Sequence, residues 1–476
     1  MAPDRAAACA GHPPAGRALM EAEGVAGGRG GHGDDGGSDK PCLLAVLATD
    51  AIGGAEIQTL ALLRGLSARY RLVLLTHDAV ARLFEDAGAA GDVEPFADGD
   101  PSGEGESKKG RGGDPAWLRI VRFEALGLTN PFDYSRENFL AYARAIATQA
   151  RIADARVVYA VMHNASLFLS VARWRHFRSL RGRTLVGSLH GSVVGYFAQR
   201  GHGANAWERG LIALALRSLH AIATPSRGVG DELIAHFGAR PDKVCAIHNG
   251  YDLARMRRLA DVPAEAGAAA GVGAGAGGDA AVLPDKRAPW VVTCCRLTDQ
   301  KDFRTLIAAF ARLRTPQPAE LVIVGEGPQR EAIMGWASEY GVAGRLRITG
   351  FVANPFAWLR QADVFVLASH YEGFGNVIVE AMTLGVPVVA SDCPWGPAEI
   401  IEAGRSGELV PPGNADALAA VLNRWMNDPD ERARFARAGA KRAEHFNLRR
   451  MVAGYETLLA RLLAGEPASQ AGAEAL

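Results

Sequence analysis

Apolar positions along this chain come in short closed runs, each followed by a stretch whose apolar residues recur every three or four positions. The first such run, CLLAVLA (42–48), is apolar throughout, as a strand covered on both faces must be. TDAIGGAE follows, and then Ile57, Leu60, Leu63 and Leu66 fall at helical spacing. Strand, Gly-rich turn and helix are the opening unit of a doubly wound sheet. RLVLLTHD (71–78), RVVYAVMHN (156–164), TLVGSLHGS (184–192), AIATPS (221–226) and KVCAIHNGYD (243–252) continue the alternation. A second array starts at WVVTCCRL (290–297) and runs through AELVIVGEGP (319–328), RLRITG (345–350), ADVFVLAS (362–369), VPVVASD (386–392) and GELVPPG (407–413). The pattern predicts an α/β protein of two doubly wound, Rossmann-like domains facing each other, with ligands at the carboxyl ends of the strands, across the cleft.

Interruptions of the pattern set the boundaries. Residues 1–40 are small, polar and Gly-rich, without the apolar core of a signal peptide, and are expected to be a disordered extension. An N-terminal domain spans 41–253, with a charged flexible insertion at 98–114. An Ala/Gly-rich linker (254–287) leads to a C-terminal domain (288–445). A C-terminal helix (446–465) can return to the first domain, and 466–476 form a flexible tail.

Length and charge narrow the possibilities. A chain of 476 residues exceeds one ordinary core. Lys plus Arg and Asp plus Glu both total 52, so no global basic field points to nucleic acid. The six cysteines show neither C-x-x-C spacing nor a disulfide framework, and no run reaches the length of a membrane helix. A cytoplasmic protein is expected.

Candidate chemistry gathers at the ends of the strands. Gly53 and Gly54 lie where the first strand turns into its helix, which is either an anion site or a turn needing Gly for steric reasons. Arg296 and Lys301 flank the loop in CCRLTDQKDF and can converge on a diphosphate; as a lone pair of surface cations they would do nothing. In YEGFGNVIVEAM (371–382), Gly373, Phe374, Gly375, Asn376 and Val377 offer successive amides at a helix start. Glu372 and Glu380 bracket them. Helix-dipole complementarity accounts for either glutamate singly, whereas both around such a loop suit the hydroxyls of a sugar. The dinucleotide fingerprint fails, since Arg330 stands where VGEGPQR needs its last Gly.

RLTDQKDFRTLIAAF, LVIVGEGPQR, ADVFVLAS and EGFGNVIVEAMTLGVPVVASD, in that order, resemble the C-terminal domain of retaining glycosyltransferases of the large family four, which have the GT-B fold. NGYD (249–252) and GGAE resemble its N-terminal domain, and the likeness covers roughly 41–465 apart from the insertions. The resemblance implies that Glu372 lies beside the donor sugar, with the amides of Phe374, Gly375 and Asn376 on sugar and phosphate. It implies that Glu380 holds the ribose, that Arg296 and Lys301 neutralise the departing diphosphate, and that Gly53 and Gly54 close on it from the other domain. His190 matches a histidine that approaches the transferred sugar, and it could equally be a satisfied core histidine. Gly327 and Phe351, in GEGP and GFV, would border the base.

The implied activity is retaining transfer of a hexosyl or N-acetylhexosaminyl unit from a nucleotide-diphosphate sugar to a glycan or lipid-linked acceptor. DCPWGPAEII (392–401) departs from the Gly-Gly form common in mannosyltransferases and resembles members that transfer galactose-type or N-acetylhexosamine units from UDP-sugars, though Pro and Glu starting a helix explain it as well. A non-catalytic nucleotide-binding subunit and a GDP-mannose-dependent mannosyltransferase are the alternatives. Neither cofactor nor metal is expected, DGD (98–100) being read as a chance match to a metal motif of another fold. Finally, 172–183 carries Arg173, Arg175, Arg178, Arg181 and Arg183 with Trp174 and Phe177, and no acid. It is either a contact for an anionic membrane surface or a solvated basic helix with its two rings packed inward.

Overall fold

The structure, a computed structural model, describes residues 40–49, 53–89, 117–133, 135–199, 205–262 and 283–468. The insertion at 98–114, with its DGD, lies outside these residues, as do nearly all of the N-terminal extension and most of the linker and tail.

Two parallel sheets organise the described chain. The first holds β1 (Cys42–Leu47), β2 (Arg71–Thr76), β3 (Leu118–Arg122), β4 (Ala155–Val161), β5 (Thr184–Ser188), β6 (Ala221–Thr224) and β7 (Val244–Ala246), in the order β3-β2-β1-β4-β5-β6-β7. The second holds β8 (Trp290–Cys294), β9 (Glu320–Val324), β10 (Leu346–Ile348), β11 (Val364–Leu367), β12 (Val388–Ser391) and β13 (Glu408–Val410), in the order β10-β9-β8-β11-β12-β13. Both sheets are Rossmann-like.

β1 shows why a closed apolar run becomes a central strand. Its side chains alternate between two cores: Cys42, Leu44 and Val46 pack with Tyr142 and Phe168, while Leu43, Ala45 and Leu47 pack with Leu62, Leu66 and Tyr455. Both faces are covered by helices, so no position along it tolerates a polar residue. β3 was not expected from the sequence. LRIVR buries Leu118 and Ile120 but exposes Arg119, the half-covered pattern of an edge strand, and it makes no closed apolar run. At several other strands the sequence runs overshoot, because the chain turns into a helix early. Asp78 already begins the helix Asp78–Ala89, and Met162, at φ 71°, begins Met162–Arg175.

Two segments cross between the domains. The helix Leu448–Leu463 puts Met451, Val452, Tyr455 and Leu459 into the same core as Leu62 and Leu66 of the helix Gly54–Leu66. Gly65 permits that approach, since a Cβ there would stand 2.3 Å from Val452 Cγ2. The linker expected from residue 254 begins later than the sequence indicated. Leu253–Ala260 is a helix, capped by Asp252, with Leu253 and Met256 packed in the second domain's core beside Trp290 and Phe374.

In each sheet the winding reverses at one place, between β1 and β4 and between β8 and β11. The loops leaving these strands splay apart there, which opens a crevice for ligands.

Candidate functional site

Loops from both switch points meet. After β8 come Arg296 and Lys301, ahead of the helix Phe303–Ala311, whose N-cap Asp302 accepts from the Thr305 amide at 3.1 Å. After β11 comes the Gly-Phe-Gly loop, ahead of the helix Asn376–Thr383. Gly375 has φ 99°, a conformation that side chains disfavour. Gly373 sits against the first domain: a Cβ there would meet the His190 carbonyl oxygen at 2.3 Å, and its own carbonyl accepts from Ser226 Oγ at 2.8 Å. Phe374 turns its ring inward, between Phe446 and His248. What the loop leaves for a ligand is backbone, with the first amides of the helix unsatisfied by helical geometry.

Lys301 is largely buried, its side chain 14% exposed, and donates to Glu372 Oε1. Glu372, also buried, accepts from Ser369 Oγ at 2.7 Å, and Gln300 Nε2 donates to the Tyr371 carbonyl at 2.8 Å. Burial by itself would pull the Lys301 ammonium down, but Glu372 outweighs it and holds Lys301 above the usual lysine range. Lys301 is therefore charged at neutral pH and already paired. Arg296 is exposed, with no ion pair among the described residues, and its guanidinium faces the first domain. A Cβ on Gly53 would lie 3.3 Å from Arg296 Nη2. The Gly53 amide donates to Glu56 at 2.8 Å, and Glu56, buried, feels the Arg296 charge from that side.

Glu380 is half-buried, and its side chain makes no hydrogen bond or ion pair among the described residues. Burial pushes its carboxyl up to about 7, and its neighbours are Tyr251 and Cys294. An unpartnered carboxyl in such a place is suited to accepting from ligand hydroxyls. His190 is pushed down to about 4 by burial, so it is neutral at ordinary pH. Its Nε2 pairs with Ser188 Oγ at 2.9 Å, which lies 3.3 Å from the Tyr455 hydroxyl, while its Nδ1 has no partner among the described residues. Gly327 packs on the loop after β8, its Cβ position 2.5 Å from the Leu297 carbonyl oxygen. Phe351, largely exposed, follows Gly350, whose carbonyl accepts from Gly325 at 3.0 Å. Gly327 and Phe351 thus stand beyond the carboxyl ends of β9 and β10. Val377 lies half-buried in the first turn after Asn376.

Several residues with a place at this junction, Asn249, Tyr251, His248, Glu399 and Tyr371, carried no assignment in the sequence. Asn249 Nδ2 donates to Oδ1 of the assigned Asn376 at 2.8 Å, and the Tyr251 hydroxyl to the same atom at 2.7 Å. Asn376 Nδ2 then faces Gly54, where a Cβ would stand only 2.6 Å away. Glu399 joins the domains elsewhere, accepting from the amides of Arg227 and Gly228 at 2.9 and 3.0 Å and lying 3.0 Å from His248 Nε2. Tyr371 lays its ring on Gly195, and its buried hydroxyl has no partner among the described residues. Asn249, Tyr251 and His248 all follow β7 in HNGYD, a polar cluster at a strand's carboxyl end, which was the available signal. Among the described residues no group of three or more His, Cys, Asp or Glu could hold a metal ion.

Known families match both halves. The model of Glycosyltransferase Family 4 matches residues 52–255, and that of Glycosyl transferases group 1 matches 279–442. The lipopolysaccharide core biosynthesis glycosyltransferase LpsE of Rhizobium meliloti is 35% identical over 152 residues, 32% of this chain and 44% of LpsE. A Campylobacter jejuni enzyme, N-acetylgalactosamine-N,N'-diacetylbacillosaminyl-diphospho-undecaprenol 4-alpha-N-acetylgalactosaminyltransferase, is 27% identical over 239 residues, 50% of this chain and 59% of that one. The chain thus spans about half the length of the curated relatives it matches. Anabaena HepE, whose structure was solved with UDP-glucose, shares the fold at a TM-score of 0.64, with 20% identity, over 88% of this chain and 99% of HepE. With one family model on each sheet and the two-domain architecture continuous across both, the chain belongs to the family-four type of glycosyltransferases, of GT-B fold.

Proposed function

We propose that the protein transfers a hexosyl or N-acetylhexosaminyl unit, with retention, from a nucleotide-diphosphate sugar to a hydroxyl of a glycan or lipid-linked acceptor in polysaccharide or glycolipid assembly. The observation that carries this reading is the convergence of Arg296, Lys301 and the Gly-Phe-Gly amides opposite Gly53 and Gly54. These are cations and free N–H groups where a diphosphate would lie. Glu380, unpartnered and half-buried, fits the ribose hydroxyls. UDP-sugars are favoured as donors, in keeping with HepE's bound UDP-glucose.

In the reaction the acceptor oxygen bonds to the anomeric carbon as the bond from that carbon to the diphosphate oxygen breaks. The electron pair leaves with the diphosphate, and the acceptor's proton passes to a departing phosphate oxygen. Charge grows on the leaving group, so Arg296, Lys301 and the amides hold the transition state more tightly than the ground state. Lys301 can turn toward the diphosphate only by sharing its bond to Glu372, which frees that carboxylate for sugar hydroxyls. His190, neutral, can offer the transferred sugar a hydrogen bond but no charge.

A thermal-shift screen of UDP-, GDP- and ADP-sugars tests the donor, followed by NMR of the product's anomeric configuration. Stabilisation by UDP-sugars and an unchanged anomer are expected. Binding without turnover on any acceptor would favour a nucleotide-binding subunit, and preference for GDP-mannose a mannosyltransferase.

A further inference from the structure

We propose that a basic, aromatic groove at the base of the first domain docks the protein on an anionic lipid surface. The two rings of the 172–183 run do not pack inward: Trp174 is 68% exposed and Phe177 56%. With Leu214, 45% exposed, and with Arg173, Arg217 and Ser218, they line a groove of about 470 Å³. Single exposed apolar residues mean nothing, but three large ones on one groove, ringed by cations, mark a contact surface.

The cations are free. Arg173, Arg175, Arg178 and Arg217 form no ion pair among the described residues. Arg144 and Lys243 stand at the edges. His176 and His220 register this field, held below the usual histidine range first by burial and then by Arg175 and Arg144 for one, Arg173 and Lys243 for the other. Nearby carboxylates are engaged elsewhere: Asp154 pairs with Arg183, and Asp242 with Arg240. Since the chain's formal net charge is zero, this is a local concentration rather than a share of a general excess. Phosphate alone would satisfy the arginines and leave the rings in water. A bilayer interface satisfies both, the headgroups taking the charge and the acyl boundary taking Trp174, Phe177 and Leu214.

The location gives the docking a direction. Met162–Arg175 starts at the carboxyl end of β4, beside the cleft, and ends at the groove. At 1.5 Å per residue it holds the two about 20 Å apart. The cleft therefore faces away from the bound surface. Docking of this kind recruits the protein to a membrane and does not pass a membrane-embedded sugar straight into the cleft.

Flotation of the full chain with two vesicle types tests this, and it reads binding alone, independent of any glycosyl transfer. One type is phosphatidylcholine, the other equal parts phosphatidylcholine and phosphatidylglycerol. Wild type is expected to float with the second only. Arg173→Glu/Arg175→Glu/Arg178→Glu should bind at least ~100-fold more weakly, and Trp174→Ser/Phe177→Ser about tenfold more weakly, both with wild-type circular dichroism. No flotation of wild type, equal flotation with both vesicles, or wild-type binding by the charge variant overturns the proposal. Loss of binding in the charge variant with none in Trp174→Ser/Phe177→Ser overturns the lipid assignment in favour of a soluble polyanion.

Discussion

Lys301 and Glu372, which the sequence assigned to the diphosphate and to the sugar of the donor, form one largely buried ion pair joining the loop after β8 to the loop after β11. The pair spans the switch point of the second sheet and fixes the two loops that would hold the diphosphate and the sugar. It also means that Lys301 is not a cation waiting unpartnered for phosphate.

A buried pair is expensive to break from one side. Glu372→Ala should lower stability by about 3 kcal/mol, because it strands the Lys301 charge. Lys301→Met/Glu372→Gln should lose less than the sum of its two single changes. Urea unfolding of wild type, Glu372→Ala, Lys301→Met, Glu372→Gln and the double variant measures this. Additive losses would show that the two side chains do not depend on each other.

Glu380 makes donor binding pH-dependent. Its folded carboxyl is raised to about 7 by burial, so the free protein gives up stability as pH climbs through 7 and the carboxyl ionises. Ribose hydroxyls bind the ionised form, so donor affinity should rise between pH 6 and pH 8, by roughly tenfold at most. Glu380→Gln should bind more weakly with a flat profile. Calorimetric titration with an intact nucleotide sugar, which lacks a phosphate titrating in that window, checks both. A sloping profile in Glu380→Gln would assign the titration elsewhere.

Gly54→Ala separates folding from closure. The added methyl would stand 2.6 Å from Asn376 Nδ2, across the cleft, while alanine serves a helix better than glycine. The melting temperature should hold or rise as kcat/KM falls by about 100-fold. Wild-type turnover would mean that the two loops never approach during catalysis.

Glu399 is expected to hold the domains together. Despite its burial, His248 and the amides of Gly228 and Arg227 keep its carboxyl below the usual range. Its contribution is thus complete above the ordinary carboxylate pKa and fades only as pH falls through the lowered one. Glu399→Ala should raise the radius of gyration in X-ray scattering and raise KM for donor more than it lowers kcat. An unchanged radius and KM would confine Glu399 to a local cap.

The sequence made the fold legible where strands are buried on both faces, since CLLAVLA and VPVVASD leave a helical period no room. It concealed β3, whose Arg119 and Arg122 break the run at a sheet edge that only β2 reveals. The Gly-Phe-Gly loop was legible because a positive φ at Gly375 and a buried ring at Phe374 demand those residue types locally. Asn249, Tyr251 and Glu399 were not, because their partners lie 127, 125 and about 150 to 170 residues away and no local period records such a pairing. The helix Leu253–Ala260 was hidden by its neighbourhood, LARMRRLA being read with the Ala/Gly stretch that follows it.

The central claim is that Arg296, Lys301 and the facing loops bind the diphosphate of a nucleotide sugar. Calorimetric titration of UDP and UMP into wild type and Arg296→Ala tests it most directly, because the two ligands differ only by the phosphate in question. The account predicts that UDP binds wild type at least ~10-fold more tightly than UMP, and that Arg296→Ala erases most of that difference while leaving UMP affinity unchanged. Equal binding of UDP and UMP by wild type, or a full difference retained in Arg296→Ala, would contradict it.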